Sequence, residues 1–230
     1  MSMFLEFLQI SIHQTQGKEI LFYVFVSLFL FLAIIRQAFP KYFNDLFRLF
    51  FGTTLKQRHL SEQLGQTPLP SLLLNLFFFI SAGLYLSFWL ERVGLNPFDS
   101  FWWLVLYVST VLFIAYLVKF ITLQFTGWLF KASDAAASYI FTVFTINKMV
   151  GIFLFPLLVL MAFSTEQVYI IAQALSWVVL AGLLTYRIGL SYRVVSKQIR
   201  VSAFHFLLYV AGFEIAPLVV LYKLFLLNFS

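Results

Sequence analysis

The chain contains no cysteine. That excludes disulfides, thiolate metal sites and a cysteine nucleophile. Charge is also scarce: 10% of the 230 residues are Asp, Glu, Lys or Arg, against about a quarter in soluble domains. No Gly-x-Ser-x-Gly elbow, phosphate-binding loop, His-Glu-x-x-His pair or intramembrane aspartate pair occurs, so no familiar catalytic set can be assembled and no enzyme activity is expected. His13, His59 and His205 are scattered, without carboxylates at ligand spacing. No metal site is expected, and no cofactor. The first eighteen residues lack a basic n-region followed by an apolar stretch and a small-residue cleavage site. The first apolar run is therefore expected to be retained.

Apolar side chains fill the space that charge leaves. The chain is 62% hydrophobic with 31 Phe, and its mean hydropathy is +0.95. A lipid-immersed bundle needs apolar residues on its outer faces as well as inside, which explains such an excess. Crossing about 30 Å of hydrocarbon takes about 20 residues. Six runs qualify as spans: Ile20–Ala38, Ser71–Leu90, Phe101–Val118, Met149–Phe163, Val168–Tyr186 and Ala203–Leu227. The fourth is short and is expected to begin earlier, through the apolar Tyr139–Ile146. Backbone groups in lipid must bond within their own segment, so the expected fold is all-α, one polytopic membrane helix bundle over residues 1–230.

Basic residues set the expected orientation. Arg36, Lys41, Arg48, Lys56 and Arg58 lie between spans one and two. Lys119, Lys131 and Lys148 lie between three and four, and Arg187, Arg193, Lys197 and Arg200 between five and six. These are twelve of the 15 Lys and Arg, all on one side. Both termini are expected to face away from the cytoplasm, that is, toward the periplasm. Trp89, Trp102 and Trp103 mark the outer boundary and Trp128 the inner one, while Trp177 is expected to be packed.

Outer links are short, Ser164–Gln167 and Glu91–Ser100, and leave no room for a soluble catalytic module. The first inner connection opens with residues 40–51. There Phe43, Leu46, Phe47 and Phe50 recur at i, i+3, i+4 and i+7, opposite Lys41, Asn44, Asp45 and Arg48. This is an amphipathic helix expected at the inner interface, either docking a partner or only packing at the headgroups. Ser133 followed by Asp134 reads as an N-cap with a first-turn acid. A helix from there to Phe163 would be about 45 Å long, so a break or steep tilt is expected near Asn147–Gly151.

Two polar interruptions carry the functional reading. Glu214 stands alone in the sixth run, where an ionised side chain costs about 2.5–3.5 kcal/mol. Asn147 and Lys148 interrupt the fourth. In both helices a Gly is followed five residues later by Pro, Gly151/Pro156 and Gly212/Pro217, which marks expected hinges. If the prolines share a depth, Lys148 sits level with Tyr209, about 7 Å below Glu214. The candidate site is thus a Lys148–Glu214 ion pair or proton-sharing pair, with Asn147 and Tyr209 as hydrogen-bond neighbours. Alternatively, Glu214 stays protonated and bonds a carbonyl freed by Pro217, and Lys148 reaches the inner headgroups. Arg193, Lys197 and Arg200, at i, i+4 and i+7, form a stripe able to contact anionic lipid.

Several strings resemble one family. Asn147-Lys148-x-x-Gly151-Ile-x-Leu-x-Pro156 is one, and Phe204-His205-Phe206-x-Leu208-Tyr209 leading to Glu214-Ile-x-Pro217-Leu218 and Leu221-Tyr222-Lys223 is another. With Gly127-Trp128-Leu129-Phe130 and Phe39-Pro40-x-x-Phe43, they resemble a Bacteroidota integral-membrane family catalogued as domain of unknown function 4271. The likeness runs from about Ile20 onward. It implies an inner-membrane protein of a diderm bacterium and no reaction. The expected role is a structural or assembly subunit. A proton-coupled transporter or channel component using Glu214 is the alternative, and a lipid-modifying enzyme the third. Expected partners are membrane lipids and another inner-membrane protein, not nucleic acid.

Overall fold

The computed structural model describes residues 18–52 and 64–198, with side chains through residue 193. Among the described residues every regular element is helical. They are α1 (Lys18–Ala38), α2 (Pro40–Phe51), α3 (Pro68–Val93), α4 (Phe101–Leu129), α5 (Ser133–Phe163) and α6 (Glu166–Gln198). All but α2 are long and apolar enough to cross a membrane. The sixth expected span, Ala203–Leu227, lies outside the described residues.

Three helices outrun the apolar runs that announced them. α4 continues past Val118 to Leu129, α5 starts at Ser133, and α6 continues past Tyr186 to Gln198. A helix satisfies its own backbone, so it need not stop where the hydrocarbon does. In α4, Thr122 and Thr126 donate to the carbonyls of Val118 and Thr122 (2.8 and 2.9 Å), so their hydroxyls are also satisfied within the helix. α4 ends where Lys131 takes a left-handed φ of 54° and Ala132 N–H donates back to the Gly127 carbonyl at 2.8 Å, a Schellman-type stop. α3 ends the same way at Gly94, φ 76°, with Leu95 N–H on the Leu90 carbonyl at 2.9 Å. Of the break or steep tilt expected near Asn147–Gly151, the break is absent: α5 is helical throughout and through Pro156. Its N-cap is Ala132, without a side-chain cap bond, and Ser133 is already helical. Asp134 remains in the first turn, where the free amides favour an acid.

α5 is the axis of the bundle. Two-thirds of its apolar window is buried (67%), against 50% for α3 and 11–17% for α1, α4 and α6. It packs most extensively on α6 and α3, while α4 closes on both α3 and α5. Small residues set these distances, as membrane helix interfaces require. A Cβ on Gly151 would sit 2.8 Å from the Phe78 Cα, and one on Gly127 would sit 2.6 Å from the Ala136 Cβ. Phe77 packs on Phe155 with ring centroids 5.5 Å apart, and Phe25 on Phe155 at 6.0 Å. The outer surfaces of α1, α4 and α6 expose large apolar side chains such as Phe29, Ile34, Phe113, Ile121, Ile171 and Val178. Trp177 is not packed inside; it is 49% exposed, in T-shaped contact with Tyr85 and Trp89.

One ion pair joins the ends of α3 and α6. Arg92 bonds both carboxylate oxygens of Glu166 and lies over the Tyr169 ring, 4.3 Å from its centroid. The side chains are 37% and 68% exposed, and exposed pairs contribute little. Arg92→Gln is therefore expected to leave the thermal unfolding midpoint in detergent unchanged within error. A clear drop would show that this contact does more than an exposed pair should.

Candidate intramembrane polar site

Two polar clusters flank α5 at neighbouring residues. Lys148 and Asn147 follow one another on the helix, so their side chains diverge by about 100° and serve different neighbours.

Lys148 is 2% exposed. Its Nζ donates to the Tyr42 hydroxyl of α2 at 2.8 Å and to the Ser71 hydroxyl near the start of α3 at 2.7 Å. It also lies 5.5 Å from the centroid of the Tyr42 ring. Three elements thus meet at one ammonium. Burial raises the Tyr42 phenol above its ordinary range, with the Ser71 hydrogen bond opposing, so Tyr42 faces the ammonium as a neutral hydroxyl. Around it Ile35, Tyr42, Leu46, Leu64, Leu74 and Met149 form an apolar cluster. Two hydroxyls are modest compensation for a charge so placed, since removing an ion from water costs several kcal/mol.

Asn147, also 2% exposed, turns toward α4 and α6. Its Oδ1 accepts from the Tyr116 hydroxyl at 3.3 Å and from Arg187 Nη1 at 3.5 Å. Arg187 Nη1 also reaches the Tyr116 hydroxyl at 3.5 Å, and Arg187 is 5% exposed. The distances are long, so this second cluster is loosely bonded. The Asn147 amide Nδ2 is buried with no acceptor among the described residues, as are the hydroxyls of Thr145 and Ser191. A buried unmatched donor costs about 1–3 kcal/mol, and this one stands beside a guanidinium.

Of the residues expected from sequence, the structure places Lys148 and Asn147 at the centre of these clusters. Glu214, Tyr209, Gly212 and Pro217 lie outside the described residues, as do Arg200 and the side chain of Lys197. Gly151 stands against Phe78 as a close contact between helices, Pro156 is exposed within α5, and Arg193 is exposed near the end of α6. Tyr42, Ser71, Tyr116 and Arg187 were not anticipated. Arg187 had a signal in the sequence, a cation directly after an apolar run, but it was counted only toward orientation.

The model of a protein family, domain of unknown function (DUF4271), matches residues 21–225. The chain belongs to this family. Comparison of this DUF4271 chain with curated proteins and with solved structures returned no match. The match spans both polar clusters and all six helices. It assigns neither cluster a role, so the chemistry of the DUF4271 site rests on the geometry above.

Proposed function

We propose that this DUF4271 protein is a multi-pass protein of a bacterial inner membrane, with both termini periplasmic, acting as a structural or assembly subunit for partner proteins. The observation that carries this reading is the Lys148 cluster: its ammonium is engaged in bracing α2 against α3 and α5. A buried cation used as a brace fixes the amphipathic helix as a rigid element at one face, which suits a chain that works by holding others. The short links at 94–100 and 164–165 fit the same role. Gentle extraction of tagged protein from its native membrane, followed by mass spectrometry, tests it. The expected result is one stoichiometric membrane partner; a lone, monodisperse species with full cellular function would overturn it.

A second reading is favoured by the unmatched Asn147 amide beside Arg187. A carboxylate there would supply the missing acceptor, and Glu214 is the acid carried by the remaining apolar run. In this reading Glu214 pairs with the α5 cluster, through Lys148 or on the Asn147 side, and exchanges a proton. Proton flux in reconstituted vesicles decides it: Glu214→Gln should abolish a flux that wild type shows, and no flux from wild type removes the reading. Contacts of Arg193, Lys197 and Arg200 with anionic lipid belong to either reading.

A further inference from the structure

The sequence splits α2 into an apolar and a polar half, but the structure divides it into three stripes. Tyr42, Asp45 and Leu46 are buried against the bundle, and Leu49 is half-buried on the same side. This face is rotated from the expected 43/46/47/50 face because the Lys148 ammonium draws Tyr42 inward. Asp45 goes in with it and is 9% exposed.

The rotation leaves two further stripes turned away from this buried face, one half-covered and one open. Phe43, Phe47 and Phe51 form a ladder at i, i+4 and i+8, with successive ring centroids 5.0 and 6.3 Å apart. Phe43 and Phe47 are half-buried, with Phe47 packed on the core, and Phe51, at the end, is 67% exposed with one side of its ring toward Phe153 of α5. Beside the ladder, Lys41, Asn44 and Arg48 are exposed at i, i+3 and i+7. With the acid of the helix turned inward, this third stripe carries positive charge alone. Arg36, in the last turn of α1 just before α2, is exposed as well. By helical phase the ladder and the cations lie about 90° apart. So placed, one stripe can enter the acyl boundary while the other faces phosphates, as on interfacial amphipathic helices.

We propose that α2 is a recognition surface for anionic phospholipid, with acyl chains against the Phe43–Phe47–Phe51 ladder and the headgroup phosphate on Lys41 and Arg48. The occupant follows from charge complementarity and from the aromatic stripe adjoining the cations; a protein partner would need only one of the two. The inference rests on the membrane reading above, and goes beyond it by naming a lipid class and the residues that select it.

The test is lipid titration of the detergent-purified chain by native mass spectrometry, with phosphatidylglycerol and phosphatidylcholine in parallel. Wild type should bind phosphatidylglycerol more tightly. Lys41→Gln with Arg48→Gln should weaken that lipid on the order of thirty-fold, at about one basic-residue contact each, and leave phosphatidylcholine unchanged. Lys18→Gln, at the opposite end of α1, is the control and should change neither. Should the double variant fail to fold, Asn44→Lys adds a charge to the same stripe and should tighten phosphatidylglycerol binding. Equal binding of both lipids by wild type overturns the proposal, as does an unchanged affinity in the folded variants. Self-association lost in the double variant while lipid binding persists would assign the stripe to a second copy instead. Extraction of wild type into detergent-free buffer would remove the membrane reading itself, separately from the lipid preference.

Discussion

Lys148→Met is expected to stabilise the protein, by about 1 kcal/mol or more, and to raise its unfolding midpoint. Charge-assisted bonds to the two hydroxyls contribute roughly 1.5–3 kcal/mol each, while burying an ion costs several kcal/mol and repays only with excellent pairing. Methionine keeps the volume of the lysine stem and drops the charge. Tyr42 and Ser71 both bond the Lys148 nitrogen, so once it is gone each hydroxyl has the other as its nearest replacement partner. Lys148→Ala also drops the charge but opens a cavity, and losses from truncating buried side chains of this size run to about 2–5 kcal/mol. The methionine variant should therefore exceed the alanine variant by at least about 2 kcal/mol in reversible detergent unfolding. If methionine is as damaging as alanine, the ammonium itself contributes net stability. If Lys148→Met is stable but inactive in cells, the charge is kept for function against its cost in stability.

Gly151→Val is expected to abolish recovery of folded, monodisperse protein. A Cβ there would lie 2.8 Å from the Phe78 Cα, 3.2 Å from its Cβ and 3.3 Å from its N. These are mainly backbone atoms, so α3 and α5 must part rather than a side chain swing aside. Overpacking by single methylenes already costs about 1–3 kcal/mol, and valine adds three carbons at a close backbone contact of the two most buried helices. Gly151→Ala should be destabilising too, because the helix-propensity gain of up to about 1 kcal/mol does not offset separation of the helices. Gly182→Ala provides the contrast. Among the described residues nothing lies within 4 Å of its added Cβ, so it should gain about 0.5–1 kcal/mol. Size-exclusion profiles and unfolding midpoints of the three variants suffice. A tolerated Gly151→Val would mean that the α3–α5 contact is looser than the structure draws it.

The helices were legible because apolar residues here face both core and lipid, so hydropathy finds them without needing periodicity. Their ends were not. Lys119–Leu129 reads as a loop by charge, yet nothing in it forbids a helix, and its threonines bond the backbone internally. That error of extent also hid Arg187. Charge counting assigns a cation at the end of an apolar run to a connection, and only the continuation of α6 past it places the guanidinium inside the bundle. Lys148 stood out because it interrupts an apolar helix. Its partners did not, since Tyr42 lies on a helix whose faces were sorted by hydrophobicity, and a hydrogen bond rather than hydrophobicity decides which face goes in. Gly151 looked like a hinge from its spacing to Pro156; its actual neighbour, Phe78, is a contact distant in sequence that spacing along one helix cannot reveal.

The lengths of α4 and α6 have a topographic consequence. At 29 and 33 residues they extend about 44 and 50 Å, and absorbing that in about 30 Å of hydrocarbon would need more tilt than spans usually show. At one end α4 follows α3 through the 94–100 link, while α6 is tied to α5 by the 164–165 link and to α3 by the Arg92–Glu166 contact, so the excess emerges at the other, around the 130–132 turn and the last turns of α6. Among the described residues one side lies flush with its surroundings and the other stands up as a collar. In sealed vesicles of uniform orientation, a protease should cut readily around the 130–132 turn from the collar side and find little purchase in the 94–100 and 164–165 links.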